Sequence, residues 1–197
     1  MINAVGRDIP EEILKQTGKE VFQGNYYKDG KPFHKAGPMV TPVMNHDHDK
    51  MVKDIHEALV KCNAHDGMTV SFHHHFRDGD LVVCMVMKEI HKMGLKNITI
   101  SASSLGKAHD DLVPMIEDGT ITNIESSGVR GKIGEAISHG KLKGLATMRS
   151  HGGRVRAIET GETHVDIAFI GAPSCDEYGN CSGMGGKTNC GVLSYAY

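Results

Sequence analysis

Residues 66–94, DGMTVSFHHHFRDGDLVVCMVMKEIHKMG, switch periodicity once, and that switch constrains the fold more than any other feature of the chain. Met68, Val70 and Phe72 alternate with Thr69 and Ser71, the period-two pattern of a strand, and Gly67 supplies the entering turn. Val82, Met85, Val86, Ile90 and Met93 then recur at helical spacing. A helix is therefore expected over about residues 79–93, capped by Asp78 or Asp80 and ended by Gly94. Between the two lie His73, His74, His75, Phe76 and Arg77. In α/β sheets such a loop, after a strand and before a helix, is where backbone N–H groups and the helix dipole converge on an anion.

The alternation recurs along the chain. Helical spacing of Met51, Val52, Ile55, Ala58, Leu59 and Cys62 predicts a helix from Asp47 or Asp49 to Cys62. Strands are expected at residues 95–101, 120–124, 145–148 and 165–170, with helices at 110–117, 131–139 and 154–159 between them. Strand and helix alternating at this interval predict an α/β layered domain over residues 46–197 with a mostly parallel sheet. The strand ends Phe72, Ser101, Glu125 and Ile170 are followed by HHHFR, ASSLGK, SSGVRGK and GAPSCDEYGN, so a parallel sheet places all four loops on one rim. That rim is the predicted site. Residues 1–45 lack sustained periodicity and read as an arm that wraps a neighbouring surface. It contains a short helix over residues 8–18 capped by Asp8, and a hairpin at the Asp29-Gly30 pair, limited to an edge by Pro32.

Charge narrows the function classes. The 22 Lys and Arg nearly cancel the 24 Asp and Glu, so no global field exists to hold nucleic acid or an anionic membrane. The longest apolar run, residues 81–87, is far short of the roughly 18 needed to span a bilayer. The N-terminus lacks a signal-peptide profile, and Cys62, Cys84, Cys175, Cys181 and Cys190 are odd in number without paired spacing. A cytoplasmic protein with reduced thiols is expected.

Several motifs admit more than one reading. His73 and His75 form an HxH that could ligate a metal, but no third ligand is identifiable, and a substrate-binding loop or a purely structural loop stays open. His46 to Asp49 reads as a solvated helix start rather than a metal site. Gly128, Val129, Arg130 and Gly131 open a helix beside Lys132, which suits a carboxylate or phosphate, though an exposed basic helix start has the same sequence. Ser103 and Ser104 could donate to an oxyanion, or could simply form a turn. Gly106-Lys107 does not complete a P-loop, because Ser101 stands where its first glycine belongs. The cysteines near the C-terminus are not spaced as in a zinc ribbon and read as structural thiols.

Three stretches carry a family resemblance: DGMTVSFHHHFRDGDLVV, ITNIESSGVRGKIGEAISHGKLKG and VDIAFIGAPSCDEYGNCSGMGGKTNCGVLSYA. With them the chain resembles the citrate lyase alpha chain, the citrate CoA-transferase subunit, and more coarsely the CoA-transferases. The resemblance implies a three-layer α/β/α domain like that of ribose-5-phosphate isomerase, the first of two such halves in the family. It implies acyl exchange, in which citrate displaces acetate from an acetyl thioester on an acyl carrier protein. It also implies that the carrier brings the CoA-like prosthetic group, with no cofactor bound covalently here, and that the beta and gamma chains and a second alpha-chain half are partners. Related CoA-transferases use a glutamate nucleophile, whereas the citrate lyase type is held to proceed through a mixed anhydride. No nucleophile is identifiable in this sequence. The candidate binding residues are Phe72, Arg77, Ser103, Ser104, Gly128, Val129, Arg130, Gly131, Gly171, Ala172, Pro173, Ser174, Asp176, Gly179 and Asn180. The catalytic candidates are His73, His74 and His75, whose imidazoles could hold a carboxylate or a thioester oxyanion. The alternative is a catalytically incomplete half that binds a thioester or a partner.

Overall fold

The structure is a computed structural model that describes residues 1–4, 6–21, 23, 27–28, 31–32, 50–73 and 81–186. The backbone divides into two compact units, Met1–Ala36 and Gly37–Tyr197. In the first, helix α1 spans Glu11–Thr17 and strands β1, Tyr27–Lys28, and β2, Lys31–Pro32, pair antiparallel as a small hairpin. Asp29 and Gly30 of its turn lie outside the described residues. Asp8 does not cap α1. The helix begins after Pro10, while Asp8 forms a bridge with Ile2 and accepts from the N-terminal ammonium at 2.9 Å. Glu11 and Glu12 in the first turn suit the helix dipole, and Gly18 ends the helix at φ +62°, donating its N–H to the Leu14 carbonyl.

The second unit carries the sheet. Helix α2 covers Ile55–Lys61 rather than starting at Asp47 or Asp49, which lie outside the described residues. Its cap is Asp54, whose carboxylate accepts from Glu57 N at 2.8 Å, while Glu57 accepts from Lys53 N at 3.1 Å, so each carboxylate satisfies an amide that the helix start leaves open. Next come β3 at Thr69–His73, α3 at Val82–Lys92 and β4 at Ile98–Ala102. The expected helix at 110–117 is in fact a 3-10 segment, Lys107–Leu112, running into a short α4 at Val113–Glu117. Then follow β5 at Ile121–Ser126, α5 at Gly131–Ser138, β6 at Ala146–Met148, α6 at His151–Glu159 and β7 at Ile167–Ile170. A hairpin of β8, Ser174–Cys175, and β9, Cys181–Ser182, lies within the stretch that sequence reads as loop.

The five long strands are all parallel, in the order β6-β5-β4-β3-β7. Their two faces differ in chemistry. Val70, Phe72, Ile98, Ile100, Ile121 and Ile124 join Leu59, Val83, Val86, Met87, Ile90, Ile116 and Ile133 in one apolar core, so helices α2 to α5 cover that face. Alternation turns Thr69, Ser71, Thr99, Ser101, Asn123 and Glu125 to the other face. There α6 packs, and buried Arg154 donates to Ser71 Oγ at 2.8 Å and to the Ser101 carbonyl at 3.2 Å. The domain is therefore a three-layer α/β/α arrangement with one oily and one polar interface. Ser150 caps α6 by accepting from Gly153 N at 3.0 Å, which moves the helix start ahead of the expected residue 154.

Candidate functional site

The strand order reverses between β3 and β7. Connections from β3 through β6 step one way across the sheet, and the last one returns to the far side of β3. In open α/β sheets the crevice beyond the carboxyl ends of the strands at such a switch receives the ligand, because adjoining loops leave in opposite directions. Register fixes what meets there. His73 pairs with Ile170, and Phe72 with both Phe169 and Ala102, so Gly171 to Ser174 and Ser103 to Ser104 start beside the end of β3. His73 follows Thr69 and Ser71 on the polar face, partly buried, with Nδ1 shielded from solvent. His74, His75 and Arg77 lie outside the described residues. Phe72 is buried in the core and stacks on Phe169 with ring centroids 5.8 Å apart, so it offers the rim its backbone rather than its ring.

The loops after β4 and β5 are laced together. Ser127 N donates to the Ser103 carbonyl at 3.1 Å, Leu105 N to Gly128 O at 3.0 Å and Arg130 N to Leu105 O at 2.9 Å, extending the sheet as a parallel bridge between Leu105 and Val129. Ser126 Oγ bonds both the carbonyl and the amide of Gly128, at 2.9 and 3.2 Å, and holds the bend. Ser103 is buried and Ser104 half-buried, while the Arg130 side chain stands in solvent. The start of α5 carries an anion of its own. Asp110 Oδ1, from the 3-10 segment, accepts from Lys132 N at 2.8 Å. Gly131 sits at φ +68°, and a Cβ there would fall 2.6 Å from Asp110 Oδ1, so the carboxylate fits only because the residue is glycine.

After β7, Gly171 to Pro173 lead into β8 and the turn DEYGN. Asp176 organises that turn: its carboxylate accepts from Tyr178 N at 3.0 Å, Asn180 N at 2.9 Å and Asn180 Nδ2 at 2.8 Å. The Asn180 side-chain and backbone donors hold its carboxyl below the usual carboxylate range, with Tyr178 and Gly179 adding to them against a small burial effect. The Asp176 carboxylate is thus taken up by donors of its own turn, Asn180 above all, and Gly179, at φ +85°, closes the turn. Lys50 N donates to the Glu177 carbonyl at 2.7 Å and ties the turn to the segment ahead of α2. Ser174 Oγ donates to Met184 O at 3.0 Å.

The sequence reading has Arg154 only as the start of the helix expected over 154–159 and gives it no role at the site. Buried Arg154 donates to Ser71, two residues before His73, and so sets a cation behind the end of β3. Among the described residues no three His, Cys, Asp or Glu side chains converge as a metal site would require, and no helix is long and apolar enough to cross a membrane. Cys84 is buried in α3, and its thiol donates to the Ala108 carbonyl at 3.4 Å.

The family model described as citrate lyase, alpha subunit (CitF), matches residues 48–197. Citrate lyase alpha chains of Escherichia coli (strain K12), Haemophilus influenzae and Klebsiella pneumoniae are 50%, 48% and 46% identical to this chain over 147 residues, which cover 75% of it and 29% of each of theirs. A solved structure described as the alpha subunit of citrate lyase from Streptococcus mutans, in complex with citrate, matches with a TM-score of 0.77 at 49% identity, over 98% of this chain and 37% of that one. The chain spans less than a third of the length of those curated relatives, and it belongs to the citrate lyase alpha subunit family.

Proposed function

We propose that this chain provides the first α/β half of a citrate CoA-transferase, and that its rim binds citrate and the thioester end of an acyl carrier for exchange of acetate by citrate. The observation that carries the reading is the switch point itself, where His73, the Ser103–Ser104 loop and the Gly171–Ser174 loop start side by side at the ends of β3, β4 and β7, with the Gly128–Arg130 loop laced to the loop after β4. The relative solved with citrate supports the substrate class. Exchange of one carboxylate for another on a thioester asks the protein to orient two acids and to stabilise an oxyanion. Hydroxyls, glycine-rich backbone and one exposed guanidinium suit that task. His73, held by a central strand, is the residue we assign to the oxyanion or to a citrate carboxylate. With Asp110 already at the start of α5, citrate is expected on the Arg130 guanidinium and the loop hydroxyls rather than on the Lys132 amide.

The alternative reading is that this chain binds a thioester or a partner without turning substrate over on its own. The proposed reading places citrate on the rim. Calorimetric titration of citrate into the chain tests that, and Arg130→Ala should weaken binding by about 1.5–3 kcal/mol if its guanidinium holds a carboxylate. Unchanged affinity removes Arg130 from the site. Acyl exchange assayed with acetyl carrier, with and without a separately supplied C-terminal remainder of a relative, then distinguishes a self-sufficient transferase from a binding half.

A further inference from the structure

The DEYGN turn is bounded by two cysteines that stand directly opposite each other. Cys175 of β8 and Cys181 of β9 are register partners in the antiparallel hairpin, and Ser174 pairs with Ser182 behind them. Opposed residues in such a pair put their side chains on the same face of the ribbon. The neighbouring pair toward the turn is joined by a bond from Asp176 N to Asn180 O at 3.1 Å. Because hydrogen-bonded and non-hydrogen-bonded pairs alternate, the two cysteines occupy the closer, non-hydrogen-bonded kind, with Cα atoms about 4.5 Å apart. A disulfide needs roughly 4.4–6.8 Å between Cα atoms, so the backbone has no distance to travel. Both thiols are free and exposed. The turn between them is hydrogen-bonded as well, with Asp176 accepting three hydrogen bonds within it.

We infer that Cys175 and Cys181 form a redox-active dithiol, which a small-molecule disulfide converts to an intrachain disulfide across the hairpin. The thiolate of one cysteine attacks a sulfur of the small disulfide, forming a mixed disulfide and expelling one thiolate. The second cysteine, as thiolate, attacks the protein sulfur of that mixed disulfide and expels the other. The two protons given up by the cysteines end on the two expelled thiolates, and the small disulfide is the two-electron acceptor. Cys62 is exposed but lies in the helical turn after α2 without an opposed partner on the hairpin, and Cys84 is buried, so the hairpin pair is distinguished from both by position. The inference rests on the hairpin alone and is separate from the acyl-exchange reading.

The test is equilibration of the chain in graded mixtures of reduced and oxidised glutathione, followed by acid quenching, alkylation and peptide mass spectrometry. The expected product is a Cys175–Cys181 link lacking two hydrogens, with its equilibrium constant roughly tenfold or more above that of the same pair in denaturant, about 30 mV for a two-electron couple. In Cys175→Ser the remaining Cys181 should instead accumulate as a glutathione mixed disulfide. The native-against-denatured comparison needs no variant to fold. Equal constants in the two states, mixed disulfides persisting on both cysteines, or a dominant link from either cysteine to Cys62 or Cys190 overturns the inference.

Discussion

Arg154→Ala is the substitution whose cost follows most directly from the structure. Arg154 is 5% exposed, and its guanidinium donates from Nη2 to Ser71 Oγ and to the carbonyl of Ser101, itself fully buried. Removing a charged donor from buried partners costs roughly 1–3 kcal/mol for each group left without it. Loss of the aliphatic stem adds about 0.8 kcal/mol per methylene taken out of contact. Against this stands relief from burying a charge, which makes buried ionic groups weaker stabilisers than their contacts suggest. The net expectation is a loss of about 3–4 kcal/mol, a large share of the roughly 5–15 kcal/mol available to a domain. Arg154→Lys keeps the charge and most of the stem but cannot present the planar fork, so it should lose about half as much. Urea titration followed by circular dichroism measures both. A loss under 1 kcal/mol for Arg154→Ala would refute the assignment of this arginine as the tie between α6 and the two central strands.

Gly131→Ala should destabilise by at least about 1 kcal/mol, since it forces a side chain into left-handed backbone and against Asp110; parent-like stability in the same titration would mean the loop simply rearranges. Acid sensitivity should centre on Asp118. Partial burial disfavours its charge, but hydrogen bonds from Thr120, His91 and Lys96 outweigh that and hold its carboxyl well below the ordinary 3.8. A carboxyl depressed in the folded state contributes stability that is complete above the unfolded value and drains away as pH falls below about 4. Asp118→Asn should therefore flatten the fall in stability between about pH 4 and pH 2, and an unaltered profile counts against the pairing.

The sheet was legible in the sequence because four segments carry both alternation and β-branched residues, and alternation fixes which side chains face the helices. What alternation could not supply was the end points of helices. Met51 and Val52 extend the apolar spacing of α2 toward its N-terminus, yet Met51 is half exposed, and the helix begins only where Asp54 and Glu57 can each cap an open amide. Apolar spacing reports burial, whereas a helix start is decided by hydrogen bonds to backbone, and the D-x-x-E at residue 54 was the signal available. In α6 the Gly152-Gly153 pair disguises a first turn that Ser150 caps, and the burial of Arg154 rests on serines from two other strands, which no local pattern encodes. The β8–β9 hairpin is too short for any periodicity to register.

Strand ends placed the rim loops together, but loop composition could not say which groups are still free to meet a ligand. SSGVRGK reads as an anion site because glycine and basic residues open a helix. In the folded chain Asp110, twenty-two residues before Lys132, already accepts that helix's amide, and Gly131 is the residue that lets it in. The same glycine that suggests a substrate carboxylate therefore accommodates one of the protein's own. Asp176 follows the same logic: a conspicuous carboxylate in a polar loop turns out to be spent on the amides of its own turn. On the proposed reading an acidic substrate meets the exposed Arg130 guanidinium, with Ser104 and His73 at the neighbouring strand ends, and citrate affinity should respond to substitution of those side chains while Asp110 and Asp176 act by holding the loops in shape.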